Sequence, residues 1–428
     1  MTRPVVVAAA IAVCAAVIPG ATRPASAQPG SNAEVETRPC IGQLAGVLYS
    51  SYCVGDTPTA VNRSGAPDPA VVDCDRGPPG ALARAVAGAR PGATLRIRGS
   101  RRACVGGFTI NKSLTLEGAG GPTRAVIAAP PGGVCVAVTG TGPTHVTLRN
   151  IQLDAAASAV DCLSVSNARA TLLGSTVSYD GDGSAVTVTN GGLALDSESV
   201  VVARTARPAI TVEGELFLGG GRVAAAVTAV AFTPLRDARL TGGRLERLDD
   251  WSGSNRVRNS FGLVLHSPST AQLTQVSELT ITGFNRGIYV DGAASEVMLD
   301  GVTVRDADWG VLADGPRVSI QHAEIYATEV GVYVSQGEGD LTSNHIFGVR
   351  RAGLYAERGA RVRAVDNHVF ASSEACAALE SGNLDGSANN CTPWYDQPAA
   401  AERRGGGRAS FETLRSRAAG GAPGALDP

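Results

Sequence analysis

Three side chains suited to acid–base or anion-binding chemistry, Asp308, Glu329 and Arg351, follow one another at intervals of 21 and 22 residues. Two carboxylates held a few ångströms apart repel each other, which raises the pKa of one of them and suits it to general acid–base catalysis. A pair about 5 Å apart also has the separation found in retaining glycosidases. The same residues equally fit a solvated ladder of turns in which Arg351 neutralises the acids, so the sequence leaves both interpretations open.

Three tyrosines, Tyr289, Tyr333 and Tyr355, each stand third in a segment of the form Gly–apolar–Tyr–apolar. If the segment is a strand, its apolar residues point inward and the tyrosine points outward. An outward tyrosine can stack on a sugar ring and keep its hydroxyl for hydrogen bonding. We therefore predict that these tyrosines bind substrate, with packing of the rings on one another along the sheet as the alternative.

Two further sets of residues contain possible metal ligands. Asp291 and Asp314 offer oxygen atoms that Ca²⁺ accepts, although each stands in an Asp-Gly pair typical of a turn. Glu324, His345 and His368 form the second set, where a metal or acid–base role competes with that of ordinary exposed polar residues. We predict no metal site and no cofactor, with Ca²⁺ as the alternative.

All these positions belong to one internal repeat. Five glycines that open short apolar segments are 25, 23, 21 and 22 residues apart: Gly262, Gly287, Gly310, Gly331 and Gly353. A repeat of this length with two short strands per unit indicates a solenoid of strands rather than of helices. We predict an all-β fold, a single-stranded right-handed parallel β-helix of roughly 10–12 rungs, where a rung is one complete turn of the chain. Equivalent residues of successive rungs then lie about 4.8 Å apart in columns, and Asn344 and Asn367 form an inward ladder.

A short helix is expected to cover the first rung. Leu82, Ala85, Val86 and Ala89 fall on one face of a helical segment over residues 80–89, and Pro-Gly follows directly. An open end of a solenoid exposes strand edges, which invite aggregation unless they are covered. The helix is placed to act as this cap.

The chain resembles right-handed parallel β-helix proteins with the pectin-lyase-like fold over roughly residues 80–385. The resemblance rests on the run from Ala81 to Ile97, the run from Ile110 to Gly118, and the Asn-His-apolar triplets at Asn344 and Asn367. It implies the fold and leaves the activity open, because this fold hosts lyases, hydrolases, epimerases and inert spikes. The sequence shows none of the motifs of polygalacturonases, alginate epimerases or pectate lyases.

The N-terminus has the order of a secretory signal over residues 1–27, with Arg3, an apolar stretch and a closing Ala-Ser-Ala. No later stretch is apolar enough to span a membrane. We predict a secreted or periplasmic protein with four domains or segments. They are the signal at 1–27, a Cys-, Pro- and Gly-rich cap at 28–79, the β-helix at 80–392 and a disordered tail at 393–428.

The nine cysteines agree with export, since removal of Cys14 with the signal leaves an even number for an oxidising compartment. Their spacing does not match that of a zinc site. Local spacing suggests four disulfides: Cys40–Cys53, Cys74–Cys104, Cys135–Cys162 and Cys376–Cys391.

Two functions fit these observations. The first is an exported protein that binds or processes an extracellular polysaccharide, by lyase or hydrolase chemistry if it is an enzyme. The second is a non-catalytic scaffold, adhesin or envelope surface protein. The net charge of −2 gives no general attraction to nucleic acid or to an anionic membrane, and the sequence does not determine the oligomeric state.

Overall fold

The computed structural model describes residues 37–44, 47–54, 71–99, 101–119, 124–158, 160–248, 259–266, 273–292, 296–371, 377–380, 383–393 and 409–410. These residues form a nearly all-β parallel solenoid of about 12 rungs. The predicted parallel β-helix is therefore confirmed. The predicted signal and most of the predicted tail lie outside the described residues, and the domain boundaries stay predictions.

The first strands surround the helix. They are β1 (Thr37–Leu44), β2 (Val47–Val54), β3 (Val71–Val72), then α1 (Ala81–Gly88), β4 (Thr94–Arg98), β5 (Cys104–Val105), β6 (Phe108–Ile110), β7 (Leu114–Ala119), β8 (Ala125–Ala128) and β9 (Val136–Thr139). The middle strands are β10 (His145–Arg149), β11 (Ile151–Ser158), β12 (Leu163–Ser166), β13 (Arg169–Leu173), β14 (Thr176–Gly181), β15 (Val186–Leu195), β16 (Val200–Ala203), β17 (Pro208–Phe217), β18 (Arg222–Ala225), β19 (Thr228–Thr233), β20 (Ala238–Thr241) and β21 (Arg244–Arg247).

The C-terminal half also consists of strands, without a helix among its described residues. Its strands are β22 (Phe261–His266), β23 (Leu273–Ser277), β24 (Thr280–Thr282), β25 (Arg286–Asp291), β26 (Glu296–Asp300), β27 (Thr303–Asp314), β28 (Arg317–Gln321), β29 (Glu324–Ser335), β30 (Glu338–Thr342), β31 (His345–Val349), β32 (Ala352–Glu357), β33 (Arg361–Val365), β34 (His368–Ala371), β35 (Ala377–Glu380), β36 (Asn383–Ser387), β37 (Asn390–Pro393) and β38 (Ala409–Ser410).

Parallel pairing between rungs creates three faces. Face 1 runs from β4 through β7, β10 and β13 to the ends of β15 and β17, and continues as a separate sheet from β20 through β23 to β36. Face 2 runs from β5 through β8, β11, β14, β16, β18, β21 and β24 to β37. Face 3 runs from β6 through β9, β12, β19, β22 and β25 to β35. Long strands such as β15, β27 and β29 bend from one face into the next.

The interior of the solenoid is aliphatic because each strand alternates inward apolar and outward polar residues. On face 1, Val146, Leu148 and Leu172 are fully buried while their neighbours point outward. Full burial of one such side chain contributes about 1.5–3 kcal/mol. Repetition over the rungs therefore stabilises a rod that has few aromatic residues in its core.

The buried asparagine ladder is confirmed and extends by one residue. The side-chain amide of Asn344 donates to Asn367 Oδ1 at 2.8 Å, and that of Asn367 donates to Asn389 Oδ1 at 2.9 Å. Each amide also donates to a backbone carbonyl of the preceding rung, as Asn344 does to Ile320 at 2.8 Å. The ladder therefore satisfies backbone groups where the chain turns between face 1 and face 2.

The predicted helix is present as α1 and packs Leu82 and Val86 onto the first rungs. The ammonium group of Lys112 donates to the backbone oxygens of Ala87 and Ala89 at 2.9 and 2.8 Å, which satisfies carbonyls at the helix C-terminus. Within the described ranges, no helix has the length and apolar character needed to cross a membrane.

Two predicted disulfides are present, Cys74–Cys104 near α1 and Cys135–Cys162 between neighbouring rungs. Cys391 is also disulfide-bonded. The pairs Cys40–Cys53 and Cys376–Cys391 stay predictions, because the side chains of Cys40 and Cys53, and Cys376 as a whole, lie outside the part of the chain that is described.

Candidate functional site: a groove on face 1

The corner between face 3 and face 1 changes length in the middle of the rod. It is long at residues 140–144 and 234–237, and tight at residues 167–168, 190–191 and Gly214 in the rungs between. The long corners stand out from the rod as two walls. The tight corners leave a floor between them, which opens a groove of about 640 Å³.

Glycine makes the tight corners possible. A Cβ atom on Gly214 would lie 2.1 Å from the carbonyl oxygen of Gly191, and one on Gly191 would lie 2.3 Å from that of Ala168. The backbones of successive rungs are therefore in direct contact at this corner. Gly214 also has a φ of 142°, a conformation that residues with a side chain rarely adopt.

The floor of the groove is an outward column of face 1, in which His145, Arg169, Gly192 and Glu215 occupy equivalent positions of successive rungs. Because Gly192 has no side chain, the side chain of Arg169 can extend across it to Glu215. The corner residues Asn167, Asn190, Leu235 and Arg236 complete the lining together with residues 142–144. Apart from His145, the titratable side chains of the lining are Arg169, Glu215 and Arg236.

One buried carboxylate joins two arginines across the groove. Arg169 lies over Gly192, where an added Cβ would be 3.2 Å from its Cγ, and its Nη2 donates to Glu215 Oε2 at 2.7 Å. Arg236, in the far wall, donates to the other oxygen of Glu215. The glutamate side chain is 11% exposed, whereas that of Arg236 is 59% exposed. The wall is thus tied to the floor, and the three charges sum to +1.

His145 lies at the other end of the groove and is held on two sides. Its Nε2 lies 2.7 Å from Thr171 Oγ1, and its backbone N–H donates to Ser113 Oγ at 3.1 Å. Desolvation, and then the positive charge of Arg169, lower the pKa of His145 below its ordinary value of 6.5. The imidazole is therefore neutral at pH 7 and able to accept a proton.

The predicted carboxylate column exists on the corner that precedes face 3. Asp308 and Glu329 follow each other in adjacent rungs, and Arg351 donates its backbone N–H to the Glu329 carbonyl at 3.0 Å. The Asp308 carboxylate accepts hydrogen bonds from Asn285 Nδ2 at 2.7 Å and from Thr328 Oγ1 at 3.0 Å. The structure therefore places the three residues at the same corner of successive rungs, with the neutral donors Asn285 and Thr328 on the Asp308 carboxylate. Their catalytic role stays a prediction.

The tyrosine column has the predicted register but not a uniform exposure. Tyr289, Leu312, Tyr333 and Tyr355 succeed one another on face 3. Tyr355 is only 2% exposed, which differs from the expected outward stripe. The rings of Tyr333 and Tyr355 stack with centroids 5.5 Å apart, and Trp309 contacts Tyr333 edge-on at 5.7 Å. At Tyr333 and Tyr355 the alternative of mutual packing is therefore observed.

The hydroxyl of Tyr333 is not available as a free polar group either. It donates to Glu357, a carboxylate that Arg358 also contacts at 3.2 Å. Burial, and then the hydrogen bond to Glu357, raise the pKa of Tyr333 far above its ordinary value of 10. Substrate binding by Tyr289, Tyr333 and Tyr355 stays a prediction.

An aromatic column on face 2 was missed by the sequence analysis. Tyr326, Phe347 and Phe370 stack with centroid distances of 4.5 and 4.7 Å, and Arg305 lies over the ring of Tyr326 at 5.3 Å. The ring of His368 stacks on Phe370 at 4.3 Å. The signal was present, because each aromatic stands two residues after a member of the column Glu324, His345 and His368. The stacking leaves the ring edges, rather than the faces, open to a ligand.

The predicted calcium alternative involves aspartates that already have other contacts. His266 Nδ1 lies 2.8 Å from Asp291 Oδ1, and Gln336 Nε2 donates to Asp314 Oδ1 at 3.4 Å. In the described ranges no three His, Cys, Asp or Glu side chains are grouped as metal ligands would be. Binding of Ca²⁺ stays untested.

The groove was not among the predictions, because the glycine repeat that sets the register of the rungs begins at Gly262, after the residues of the groove. The signal that could have found the groove is the spacing between strands. Residues 167–168 alone separate β12 from β13, and β15 and β17 run through the corner at residues 190–191 and 214 without a break, whereas longer segments stand at 140–144 and 234–237.

No protein-family model and no curated protein matches the sequence. Solved structures of similar shape include ORF18 of Geobacillus virus E2, with a TM-score of 0.37, 11% identity and coverage of 79% of this chain and 63% of that one. An alginate lyase from Paenibacillus sp. str. FPU-7 has a TM-score of 0.32 and 11% identity, and the match covers 74% of this chain and 99% of the lyase. Tailspike protein 3 of bacteriophage CBA120 has a TM-score of 0.36 and 9% identity, and the match covers 74% of this chain and 59% of the tailspike protein. The chain thus spans about three-fifths of the length of the two viral proteins, and these distant likenesses identify no ligand.

Proposed function

We propose that the protein binds a short segment of a polysaccharide in the groove on face 1. The observation that carries this proposal is the open groove of about 640 Å³ between the two long corners, since binding sites are characteristically concave. Its lining offers hydrogen-bonding groups from Asn167, Asn190 and Arg236, together with the exposed apolar side chain of Leu235. Sugars present both hydroxyl groups and apolar ring faces, so this mixture suits them.

The direction of the groove supports a chain-like ligand. Its floor follows equivalent positions from His145 to Glu215, which lie in four consecutive rungs at about 4.8 Å per rung. The walls at residues 142–144 and 235–236 close its two ends. A short saccharide segment lying between the walls, over about 14 Å, therefore meets a new outward residue at every rung.

Export belongs to the same proposal. The two disulfides Cys74–Cys104 and Cys135–Cys162 fit a protein that folds in an oxidising compartment. The predicted signal at residues 1–27 supports the same destination. A polysaccharide outside the cytoplasm, in the periplasm or beyond the cell, is then the expected ligand.

If the bound chain is also cleaved, two places carry suitable groups. In the groove, His145 is neutral at pH 7 and can take a proton from a substrate. On the corner before face 3, Asp308 and Glu329 with Arg351 are the rival set proposed from the sequence. The two places lie on different rungs of the rod, so single substitutions separate them.

The experiment combines a binding measurement with a depolymerisation screen on pectate, alginate, glycosaminoglycans and neutral glycans, with and without Ca²⁺. Gly192→Leu displaces the side chain of Arg169, which lies over Gly192 on the floor of the groove, and Asp308→Asn removes the charge of the rival site. The proposal predicts at least a tenfold loss of affinity for Gly192→Leu and an unchanged affinity for Asp308→Asn. Arg222→Ala, on the outer side of face 2, is the control for a general effect of losing a surface arginine.

The reverse pattern, with loss of affinity only in Asp308→Asn, would assign binding to the carboxylate column instead. A second candidate function, that of a non-catalytic rod, is favoured by the aromatic rings of Tyr326, Phe347 and Phe370, which stack on one another. Absence of binding to every glycan by the wild-type protein would support that candidate and contradict the proposed function.

A further inference from the structure

We infer that Glu215 is a built-in carboxylate that occupies the arginines of the groove, and that a carboxylate-bearing sugar binds by replacing it at Arg236. This inference rests on the proposed function and adds the chemical class of the ligand and the residue that sets the specificity. It concerns the three charged side chains that cross the groove, which are Arg169, Glu215 and Arg236.

The first step of the argument is the burial of Glu215. A carboxylate that is only 11% exposed has lost most of its hydration and requires charged or strong hydrogen-bond partners. It has one arginine on each oxygen, Arg169 on Oε2 and Arg236 on Oε1. Two arginines face one glutamate, so these three lining side chains carry a net charge of +1, while Asp237 of the same wall accepts a hydrogen bond from the backbone N–H of Leu273 at 3.0 Å.

The second step is the difference between the two arginines. Arg169 is 38% exposed and is packed across Gly192 on the floor, whereas Arg236 is 59% exposed and belongs to the long corner that forms the wall. A guanidinium group has five N–H donors in a planar fork that suits a carboxylate. Arg236 is therefore the arginine that can turn from Glu215 to an incoming carboxylate while Arg169 keeps the glutamate paired.

The third step is the surrounding charge. His145 is neutral at pH 7, and the remaining lining residues are uncharged. A ligand with one carboxylate in reach of Arg236 brings the side chains that line the groove to neutrality. A neutral sugar leaves the positive charge unbalanced and gains only its hydrogen bonds. The groove consequently distinguishes acidic from neutral sugars, and Glu215 weakens this preference by competing for the same guanidinium.

The test uses a uronic-acid oligosaccharide of defined length and the same oligosaccharide with its carboxyl groups reduced to alcohols. Dissociation constants are measured by calorimetry for the wild-type protein, Glu215→Gln and Arg236→Ala. Glutamine keeps the size of the side chain and removes the competing charge. The expected result is about tenfold tighter binding of the acidic oligosaccharide to Glu215→Gln, with binding of the reduced one unchanged.

Arg236→Ala is expected to bind both oligosaccharides equally and weakly. Glu246→Gln is the matched control, because Glu246 pairs with Arg222 at 2.7 Å on face 2, away from the groove. It should leave both dissociation constants unchanged. Unfolding midpoints measured alongside show whether each variant keeps its fold, and Arg236→Ala decides the question if Glu215→Gln does not fold.

The outcomes separate the inference from the proposed function. Equal binding of both oligosaccharides by the wild-type protein, unaffected by Glu215→Gln, would overturn the inference and leave polysaccharide binding intact. Binding of the acidic oligosaccharide by Glu215→Gln alone would support the inference and show that the internal carboxylate dominates. Failure of both proteins to bind either oligosaccharide would overturn the inference and count against the proposed function.

Discussion

The groove on face 1 and the aromatic columns of the C-terminal half are built on the same parallel rungs but use their outward positions in opposite ways. In the groove, the outward column contains Gly192 between Arg169 and Glu215, and its neighbour Ala194 is also small. In the C-terminal half, equivalent outward columns carry large rings, such as Phe347, that stack on the next rung. The small residue Gly192 lets the side chain of Arg169 cross the floor of the groove, whereas large rings stack on their neighbours and fill the column.

The difference shows that an outward aromatic column on a β-helix is not by itself a binding surface. At a spacing of about 4.8 Å, rings in register meet face to face, and their faces are then covered by each other. Charged residues across a gap behave differently, because Arg169 must extend over Gly192 to reach its partner. The place where the column is interrupted is therefore the better candidate for a site.

The largest effect is expected at the floor of the groove. Gly214→Ala places a methyl group against the Gly191 carbonyl, only 2.1 Å away, in a backbone conformation with φ 142°. The variant should lose about 3 kcal/mol of unfolding free energy or more, measured by denaturant unfolding. Gly301→Ala is the control, since its φ of 61° is also positive but nothing lies within 4 Å, and it should cost about 1 kcal/mol. Equal costs would contradict the account of the tight corners.

A smaller effect is expected in the aromatic column of face 2. Phe347→Ala removes a ring that stacks on both Tyr326 and Phe370, so it should destabilise the protein by about 2 kcal/mol. Glycan binding should not change, because these ring faces are not open to a ligand. Val105→Ala, at a residue that is 55% exposed, is the matched control and should have little effect on the unfolding midpoint. Loss of glycan binding in Phe347→Ala would show that the comparison between the two regions is wrong.

The smallest effect concerns the titration of His145. The folded-state pKa of His145 lies below its unfolded-state value of 6.5. At a pH between these two pKa values, the unfolded chain therefore binds more protons than the folded one. The neutral imidazole of His145 therefore makes its full contribution to the free energy of unfolding above pH 6.5, and this contribution decreases as the pH falls through the folded-state pKa. Histidine NMR titration should show the lowered value, and Arg169→Ala should raise it toward 6.5 because one of its two causes is removed. An unchanged pKa of His145 in Arg169→Ala would show that the charge of Arg169 in the groove does not act on His145.

The sequence predicted the architecture well where the repeat is regular. From residue 262 onward, the glycine period placed Tyr289, Tyr333 and Tyr355 in one column, and Asp308 beside Glu329, as the structure shows. This success has a physical reason, since every rung must bury its inward residues in register with the next one. The predicted helix, the asparagine ladder and two disulfides follow from equally local patterns.

The groove was harder to predict because it depends on the lengths of loops rather than on the residues of strands. Arg169 and Glu215 are 46 residues apart and have no matching residue in the intervening rung, where Gly192 stands. An arginine and a glutamate at such a separation form no recognisable motif. Burial of Tyr355 was also beyond the alternation rule, because the outer side of face 3 packs its aromatic rings on one another. To predict the groove and the burial of Tyr355, one would have to know how residues are placed on all three faces.

Histidine NMR during a glycan titration tests the central claim most directly. The chain has five histidines, of which His145 lies in the groove and the others lie in the C-terminal half at residues 266, 322, 345 and 368. Single His→Gln variants assign the ring signals. Titration with the uronic-acid oligosaccharide should shift the signal of His145 and leave the other four unchanged. A shift of His345 and His368, or of His266, with His145 unmoved would place the ligand on the C-terminal faces and contradict the account.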